Sequence, residues 1–308
     1  MPVKNGMGYS GATPDKQSGL AKYMSLHMKI VRQILDKYRW ADQRYYYFDL
    51  NAGCGENIEI GIDGSPRIFK DQVSNHGLDY EAYLIEIEKG NCQDLDAEFS
   101  KDKKIKTINA NNAEVILQIL ENFTGKEYGL IYIDPNNLAD FDLIEKISFA
   151  CGRLDILVRY PVTSLKRARG AHCEMFQRII EYINRINKEK KIIRAPMDGD
   201  KFQWVFLFFA NYINGGWGRE RFFDISSNAG KEILKKLNYT REELDHIEQP
   251  ELFVKEKVKE RSGGTCEVCK KRPATEIHHF KGSYGVHDPE KRVHVCHECH
   301  CELEGKES

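Results

Sequence analysis

The sequence predicts an α/β protein with a doubly wound, mostly parallel sheet and a small C-terminal metal-binding domain. An apolar, aromatic run, Tyr45-Tyr-Tyr-Phe-Asp49, precedes the small-residue loop Ala52-Gly-Cys-Gly55. Such a run is typical of a parallel strand that helices cover on both faces. Similar segments recur downstream with amphipathic segments between most of them, which predicts the parallel sheet. Two Cys-x-x-Cys pairs near the C-terminus predict the metal-binding domain.

The chain length of 308 residues allows one large α/β domain and a small second one. Residues 1–19 are rich in Gly, Ser, Lys and Pro, and we expect a flexible arm there. The large domain is expected over 20–250 and the small one over 251–308, with a boundary near Pro250. The large domain should begin with an amphipathic helix, Leu20–Trp40.

The expected strands and helices follow from apolar periodicity and from turn residues. Ser65-Pro66 predicts a helix with Ser65 as its N-cap and a proline at its first position. Asn111 or Asn112 is expected to cap a helix over Ala113–Phe123. After the first strand, the expected strands are Tyr83–Glu88, Ile105–Asn109, Tyr128–Asp134, Leu154–Arg159, Ile192–Arg194 and Trp204–Asn211.

A ligand site is expected at the carboxyl end of the first strand, because open α/β sheets bind ligands there. Glycines in this loop allow a sharp turn and the close approach of a flat ligand, although a tight turn alone would use the same residues. Glu86, or Glu88 in another register, ends the second strand and is our candidate to accept hydrogen bonds from ribose hydroxyls. The predicted cofactor-binding residues are Asp49, Ala52, Gly53, Gly55, Glu86 and Asn111.

The fourth strand ends in Asp134-Pro-Asn-Asn137, and the proline should stop the strand and stiffen the loop. Because this strand end should meet the glycine loop at one crevice, we expect Asp134 and Asn136 to project over the carboxyl edge of the sheet and favour a functional role for them. The alternative is a structural turn, since these residue types are turn formers.

A basic segment follows the fifth strand and contains Arg159, Lys166, Arg167 and Arg169 together with Tyr160. Cations interleaved with an aromatic residue favour contact with nucleic-acid phosphates. A solvated loop is the alternative. The formal net charge of the whole chain is −1, so any attraction to nucleic acid must be local.

The C-terminal cysteines predict a structural zinc site. Five of the nine cysteines fall between Cys266 and Cys301. Two Cys-x-x-Cys pairs supply four thiolates for tetrahedral zinc, and we assign these to Cys266, Cys269, Cys296 and Cys299. This crowding indicates zinc in a reducing compartment better than it indicates disulfides. We find no membrane-length apolar run and no signal peptide, so a cytoplasmic protein is expected.

Residues 20–240 resemble the class I S-adenosylmethionine-dependent methyltransferases, which have a Rossmann-like sheet. Asp49-Leu-Asn-Ala-Gly-Cys-Gly55 resembles their first motif, Glu86 their ribose-binding acid and Asp134-Pro-Asn-Asn137 their catalytic-loop motif. Together with Gly64-Ser-Pro66, the first motif more narrowly resembles the three-Cys-motif partner proteins. The resemblance implies S-adenosylmethionine as cofactor. Amino-methylating members usually have Pro and an aromatic residue where this chain has Asn136 and Asn137.

The C-terminal region resembles the HNH endonucleases of the ββα-metal type. The resemblance implies that His279 is a general base and that His278 and His300 bind a catalytic Mg²⁺, Mn²⁺ or other divalent ion. The family's middle Asn is missing, and Lys291 or Arg292 stands near its position. His287 and Asp288 are possible substitutes for it. A zinc-bound finger that binds nucleic acid or protein is the alternative.

The leading hypothesis is therefore a protein that modifies DNA or RNA, with a methyltransferase-like domain joined to an HNH-like zinc module. One alternative is a metal-dependent nuclease whose large domain only binds or senses a nucleotide-like ligand. Another is a non-catalytic protein that uses both folds as binding surfaces for nucleic acid or a protein partner.

Overall fold

The chain divides into two units, Met1–Leu234 and Lys235–Ser308. The computed structural model describes residues 13–57, 61–135, 138–162, 179–195, 204–238, 250–280 and 289–304. Within these ranges, none of the helices combines the length and the apolar composition that crossing a membrane requires.

The large unit is built on one eight-stranded sheet with helices between most of its strands. The strands are β1 (Tyr45–Asp49), β4 (Tyr80–Glu86), β5 (Ile105–Asn109), β6 (Tyr128–Ile133), β7 (Leu154–Pro161), β8 (Lys190–Arg194), β9 (Trp204–Ala210) and β10 (Phe222–Asp224), with a small hairpin of β2 (Glu56–Asn57) and β3 (Ile62–Asp63). The helices are α1 (Thr13–Lys37), α2 (Ser65–Asn75), α3 (Lys89–Phe99), α4 (Asn112–Leu120), α5 (Phe141–Ala150), α6 (Ile179–Arg185), α7 (Gly215–Arg219) and α8 (Asn228–Asn238).

The strand order of this sheet is β10-β8-β9-β7-β6-β1-β4-β5. Strand β1 pairs in parallel with β4 on one side and with β6 on the other, and β7 continues the parallel set. Strand β9 is antiparallel to both of its neighbours, β7 and β8. The predicted doubly wound, mostly parallel α/β fold is therefore confirmed. Because the chain leaves β1 toward β4 and later returns to β6, the strand order reverses at β1, and ligands bind at such a point in open α/β sheets.

Aromatic packing on both faces explains why β1 lies at the centre. All five of its residues are buried. Tyr47 stacks on Phe69 of α2, with ring centroids 4.2 Å apart, while the neighbouring Phe48 stacks on Tyr83 at 4.7 Å on the other face. Successive strand residues point to opposite faces, so a run without polar positions is stable only when both faces are covered.

Helix α1 and strand β7 are among the segments that differ from the sequence prediction. Helix α1 begins at Thr13, so residues 13–19 of the expected flexible arm are helical. Residues 1–12 lie outside the described residues. Arg159 was expected at the end of the fifth strand and Tyr160 in the segment after it, but β7 continues to Pro161. The additional residues of β7 pair with β9 along its antiparallel edge, a contact between distant segments that local sequence does not reveal.

The small unit contains a helix, a β-hairpin and a second helix: α9 (Pro250–Ser262), β11 (Glu276–His279), β12 (Arg292–Val295) and α10 (His297–Glu304). Strands β11 and β12 are antiparallel, and α10 follows β12 after one residue. The order β11-β12-α10 is the predicted ββα arrangement. The buried cluster at its centre consists of Cys266, Val295, Cys296 and Cys299, with Cys269 and Val293 packed against it.

Candidate functional site

The loop after β1 requires glycine at several positions. Gly53 and Gly55 have φ angles of +66° and +85°, a left-handed backbone that glycine adopts without steric cost. The N–H of Gly64 donates to the carbonyl oxygen of Gly55 at 2.7 Å, and a Cβ atom on Gly64 would lie 2.7 Å from that same oxygen. The backbone therefore closes tightly between β1 and α2.

Glu86, the last residue of β4, lies beside this glycine loop. Its Oε2 accepts a hydrogen bond from the N–H of Gly53 at 2.8 Å, and its Oε1 accepts one from the N–H of Glu88 at 2.8 Å. Glu86 is buried, whereas Glu88 is exposed. A carboxylate offers about four acceptor positions, so Glu86 keeps capacity for further donors. Of the two acids that the sequence left open, Glu86 is the one at the loop.

Asp49 lies fully buried at the end of β1 and orders the start of the loop. It accepts hydrogen bonds from the Tyr47 hydroxyl at 2.9 Å and from the N–H of Asn51 at 3.2 Å. The Ser65 side chain also bonds to it. Ser65 was expected as the N-cap of α2, but Gly64 occupies the cap position and makes no side-chain cap. The Ser65 hydroxyl thus bonds to Asp49 instead of capping α2. Residue spacing along the chain does not indicate a contact between such separate segments.

The protonation of Asp49 should make stability depend on pH. Burial raises the pKa of Asp49 from 3.8 to about 6, because the charged form loses its hydration. Since the folded state binds this proton more tightly, the stabilisation is fully present below pH 3.8 and is lost as the pH rises through about 6. We expect a loss of about 3 kcal/mol in the free energy of unfolding across this window.

Urea denaturation at several pH values checks this expectation against Asp49→Asn, which lacks the titrating group. The difference between the two proteins should change with pH between about 4 and 6 and then become constant. Parallel pH profiles for wild type and variant in that window would contradict it.

Asp134 follows β6, the other parallel neighbour of β1, and is linked to the glycine loop. Its N–H donates to Oδ1 of Asn51 at 3.3 Å, and its carboxylate accepts from the Tyr132 hydroxyl at 3.1 Å. The carboxylate also forms an ion pair with Arg159. The structure thus brings Asp49, Glu86 and Asp134 to the carboxyl ends of three adjacent strands, as the sequence predicted.

The ion pair changes the interpretation of Arg159. This side chain was expected to contact phosphate from an exposed loop, but it is only 17% exposed and its Nε donates to Oδ1 of Asp134. The positive charge of Arg159 is therefore paired with Asp134 within the protein. The described residues do not include the other catalytic candidates, Asn136 and Asn137. They also do not include the other phosphate-binding candidates, Lys166, Arg167 and Arg169.

Asparagines around the loop have structural partners. Oδ1 of Asn111 accepts from the N–H of Ala113 at 3.0 Å, so Asn111 is the cap of α4. Nδ2 of Asn112 donates to the carbonyl of Leu50 at 2.8 Å, and Nδ2 of Asn109 donates to the carbonyl of Glu86 at 2.9 Å. The sequence analysis missed the roles of Asn51, Asn109 and Asn112 as bridges between strand ends. Asn109 ends β5, and Asn51 and Asn112 follow the ends of β1 and β5 by two and three residues, which was the available signal.

The four cysteines of the small unit converge as a zinc site requires. The Sγ atoms of Cys266, Cys269, Cys296 and Cys299 all lie within 4.8 Å of one another, and those of Cys269 and Cys296 are 3.9 Å apart. Tetrahedral zinc at about 2.3 Å from each thiolate separates the sulfur atoms by about 3.8 Å. Hydrogen bonds from backbone N–H groups, chiefly that of Lys271, lower the pKa of Cys269 and so favour its thiolate. The donor set fits zinc.

A second cluster in the same unit contains His278, His300 and Glu304, whose ligand atoms also lie within 4.8 Å of one another. Nδ1 of His300 is 2.6 Å from Oε2 of Glu276, and its Nε2 is 3.4 Å from Oε1 of Glu304. The sequence predicted the meeting of His278 and His300 but missed Glu304, which lies one helical turn after His300 on α10.

His279 does not join this cluster. His278 and Phe280 lie on one face of the hairpin, with ring centroids 6.1 Å apart. Adjacent strand residues point to opposite faces, so His279 is directed away from them. His279 is thus not a ligand of this cluster, and its role as a general base stays a prediction.

No protein-family model and no curated protein matches this chain. Among solved structures, it is similar to a Legionella pneumophila protein of the DUF519 family at 16% identity, covering 71% of this chain and 91% of that one, with a TM-score of 0.41. It is also similar to the Methanococcus jannaschii fibrillarin pre-rRNA processing protein at 14% identity, with 56% and 69% covered and a TM-score of 0.39. A third is M. jannaschii TYW2 in complex with AdoMet, at 12% identity, with 66% and 76% covered and a TM-score of 0.36.

Proposed function

We propose that the large unit binds S-adenosylmethionine at the carboxyl ends of β1 and β4 and transfers its methyl group to DNA or RNA. The observation that carries this proposal is the contact of the buried Glu86 carboxylate with the N–H of Gly53, at the point where the strand order reverses. This is the position at which open α/β sheets place an acid for ribose hydroxyls next to a glycine turn.

Each residue of the loop has a distinct task in this proposal. Glu86 accepts hydrogen bonds from the two ribose hydroxyls with its remaining acceptor positions. Gly53 leaves the backbone open to a ligand at close range, because it carries no Cβ atom. Gly55 forms the left-handed turn, and a Cβ atom there would lie 2.6 Å from Oε2 of Glu98. Asp49 holds the loop through Asn51 and Ser65. The bound cofactor supplies an electrophilic methyl group.

The position of the acceptor follows from the strand directions. Strands β1, β6 and β7 are parallel, so Asp134 and the residues after β7 leave the sheet at the same edge as Gly53. The basic residues Lys166, Arg167 and Arg169 follow β7 in the sequence. This basic stretch of sequence supports a nucleic-acid acceptor, since phosphate contacts position such substrates. Asp134, Asn136 and Asn137 are the proposed catalytic residues beside the methyl group.

Isothermal titration with S-adenosylmethionine tests the cofactor site. Glu86→Gln should weaken binding about 10- to 150-fold, because a hydrogen bond to a charged group contributes about 1.5–3 kcal/mol. Glu88→Gln is the matched control, since that side chain is exposed and should leave affinity unchanged. Equal affinities for Glu86→Gln and wild type would refute the proposed ribose contact.

The cluster of His278, His300 and Glu304 supports a second candidate function, metal-dependent hydrolysis of phosphodiesters by the small unit. Glu276 holds Nδ1 of His300 and so orients Nε2 toward an ion, as carboxylates commonly do for metal-binding histidines. Two imidazoles and a carboxylate suit Mn²⁺ or another divalent ion, and carboxylates are also ligands for Mg²⁺. A bound ion would stabilise charge on the phosphate.

Nuclease assays on DNA and RNA with Mg²⁺ or Mn²⁺ test this second function. His300→Ala should abolish cleavage without release of zinc, because it removes a ligand of the second ion only. Glu302→Gln is the control, since Glu302 lies exposed on the same helix and outside the cluster. If wild type is inert with every ion tried, the small unit is better interpreted as a binding finger.

A further inference from the structure

A cavity of about 520 Å³ lies at the opposite edge of the sheet from the proposed cofactor site. Its lining includes Tyr128, the first residue of β6, and Arg153, which directly precedes β7. Asp134, by contrast, follows the last residue of β6. Six strand residues separate the two edges by roughly 20 Å. The cavity is therefore distinct from the glycine loop, and its volume is typical of small-molecule sites.

Exposed aromatic side chains surround this cavity. Tyr38 and Tyr212 line it and are 37% and 58% exposed. Trp40, which is 48% exposed, lies beside them, with its ring centroid 5.9 Å from that of Tyr38 and 6.4 Å from that of Tyr128. Exposed aromatic clusters of this kind mark binding sites, and their faces stack well on nucleic-acid bases.

Charged groups of both signs accompany the aromatic rings. The Arg153 guanidinium lies 4.3 Å from the ring centroid of Trp40 and donates one hydrogen bond to Gly125, which leaves further N–H donors. The ammonium of Lys37 lies 5.1 Å from the ring centroid of Tyr38. Asp155 also lines the cavity, and its Oδ2 is 3.1 Å from Nε2 of the buried His27. The cavity thus offers cations for a phosphate and one carboxylate for an N–H donor.

We propose that this cavity binds a nucleotide. The base stacks on Tyr212, its N–H group donates to Asp155, and the phosphate binds Arg153 and Lys37. An exposed aromatic ring, one carboxylate and two cations match these three parts of one ligand. The nucleotide is either a free mononucleotide or one unit of a single strand. This site does not depend on the proposed cofactor site, which lies at the other edge.

Isothermal titration of the full chain with GMP and with a single-stranded uridine octamer tests the proposal. Neither probe contains adenosine, and saturating S-adenosylhomocysteine is present so that the proposed cofactor site does not contribute. Tyr212→Ala should weaken binding about 5- to 150-fold, the range for loss of one base–aromatic stack. Arg153→Gln should weaken it as well and reduce its dependence on salt. Phe149→Ala removes an aromatic residue that is 63% exposed and does not line the cavity, and should have no effect.

The outcomes distinguish a free nucleotide from a single strand as the ligand, and they distinguish this cavity from the proposed cofactor site. Binding of GMP indicates a free nucleotide, whereas binding of the octamer alone indicates a strand. The cavity lining includes no residue of the glycine loop, so failure of the proposed cofactor site does not affect this result. Absence of saturable binding by either probe, or equal effects of Tyr212→Ala and Phe149→Ala, would overturn the proposal.

Discussion

Removal of zinc is expected to unfold the small unit while the large unit stays folded. Four of the six residues in the small unit's central cluster are cysteines of the proposed zinc site, so this unit has little apolar core without the metal. In such domains the free energy of zinc binding, about 10–16 kcal/mol, supplies most of the folding free energy. Cys269→Ser removes one thiolate and should have the same result. Metal analysis should find about one zinc per chain in the wild-type protein.

Limited proteolysis of the full chain, with and without a strong chelator, measures this effect. Cleavage should become fast within 251–308 and remain slow in the sheet of the large unit. Cys301→Ser is the matched control, because Cys301 lies in the same helix as Cys299 but outside the four-sulfur cluster. A small unit that resists proteolysis equally well in chelator would contradict the structural role of zinc.

Arg159→Met should destabilise the large unit by about 3–5 kcal/mol, because it leaves the Asp134 carboxylate without its cation in a mostly buried place. The two side chains are 17% and 13% exposed, so water can replace the lost partner only in part. The free energy of unfolding in urea measures the loss. Arg159→Met combined with Asp134→Leu should recover part of it, since no unpaired charge then remains.

An exposed ion pair serves as the comparison for the buried pair of Arg159 and Asp134. Arg185 contacts Asp142 with the two side chains 46% and 66% exposed, and Arg185→Met should cost at most about 1 kcal/mol. Losses of similar size for Arg159→Met and Arg185→Met would show that the Asp134 pair is not the buried interaction described here.

Local sequence was sufficient for the fold class and for the order of the elements. The apolar run of β1, with both faces buried, already indicated a parallel strand covered on two sides. The strand β5 has the predicted bounds, Ile105–Asn109. The cysteine spacing also indicated a four-sulfur site, because the two pairs are short local motifs. These features depend on residues that are close in the sequence, so hydrophobic periodicity and motif spacing are enough to predict them.

Only the tertiary structure decided the partners of individual side chains. It placed Glu86 rather than Glu88 beside Gly53, gave the Ser65 hydroxyl to Asp49 and moved Arg159 from a phosphate-binding loop into an ion pair with Asp134. It added Glu304 to His278 and His300 and directed His279 to the other face of β11. Strand register, helix phase and strand pairing fix these contacts. A shift of one residue reverses the face on which a side chain lies, and composition and motif spacing do not determine that shift.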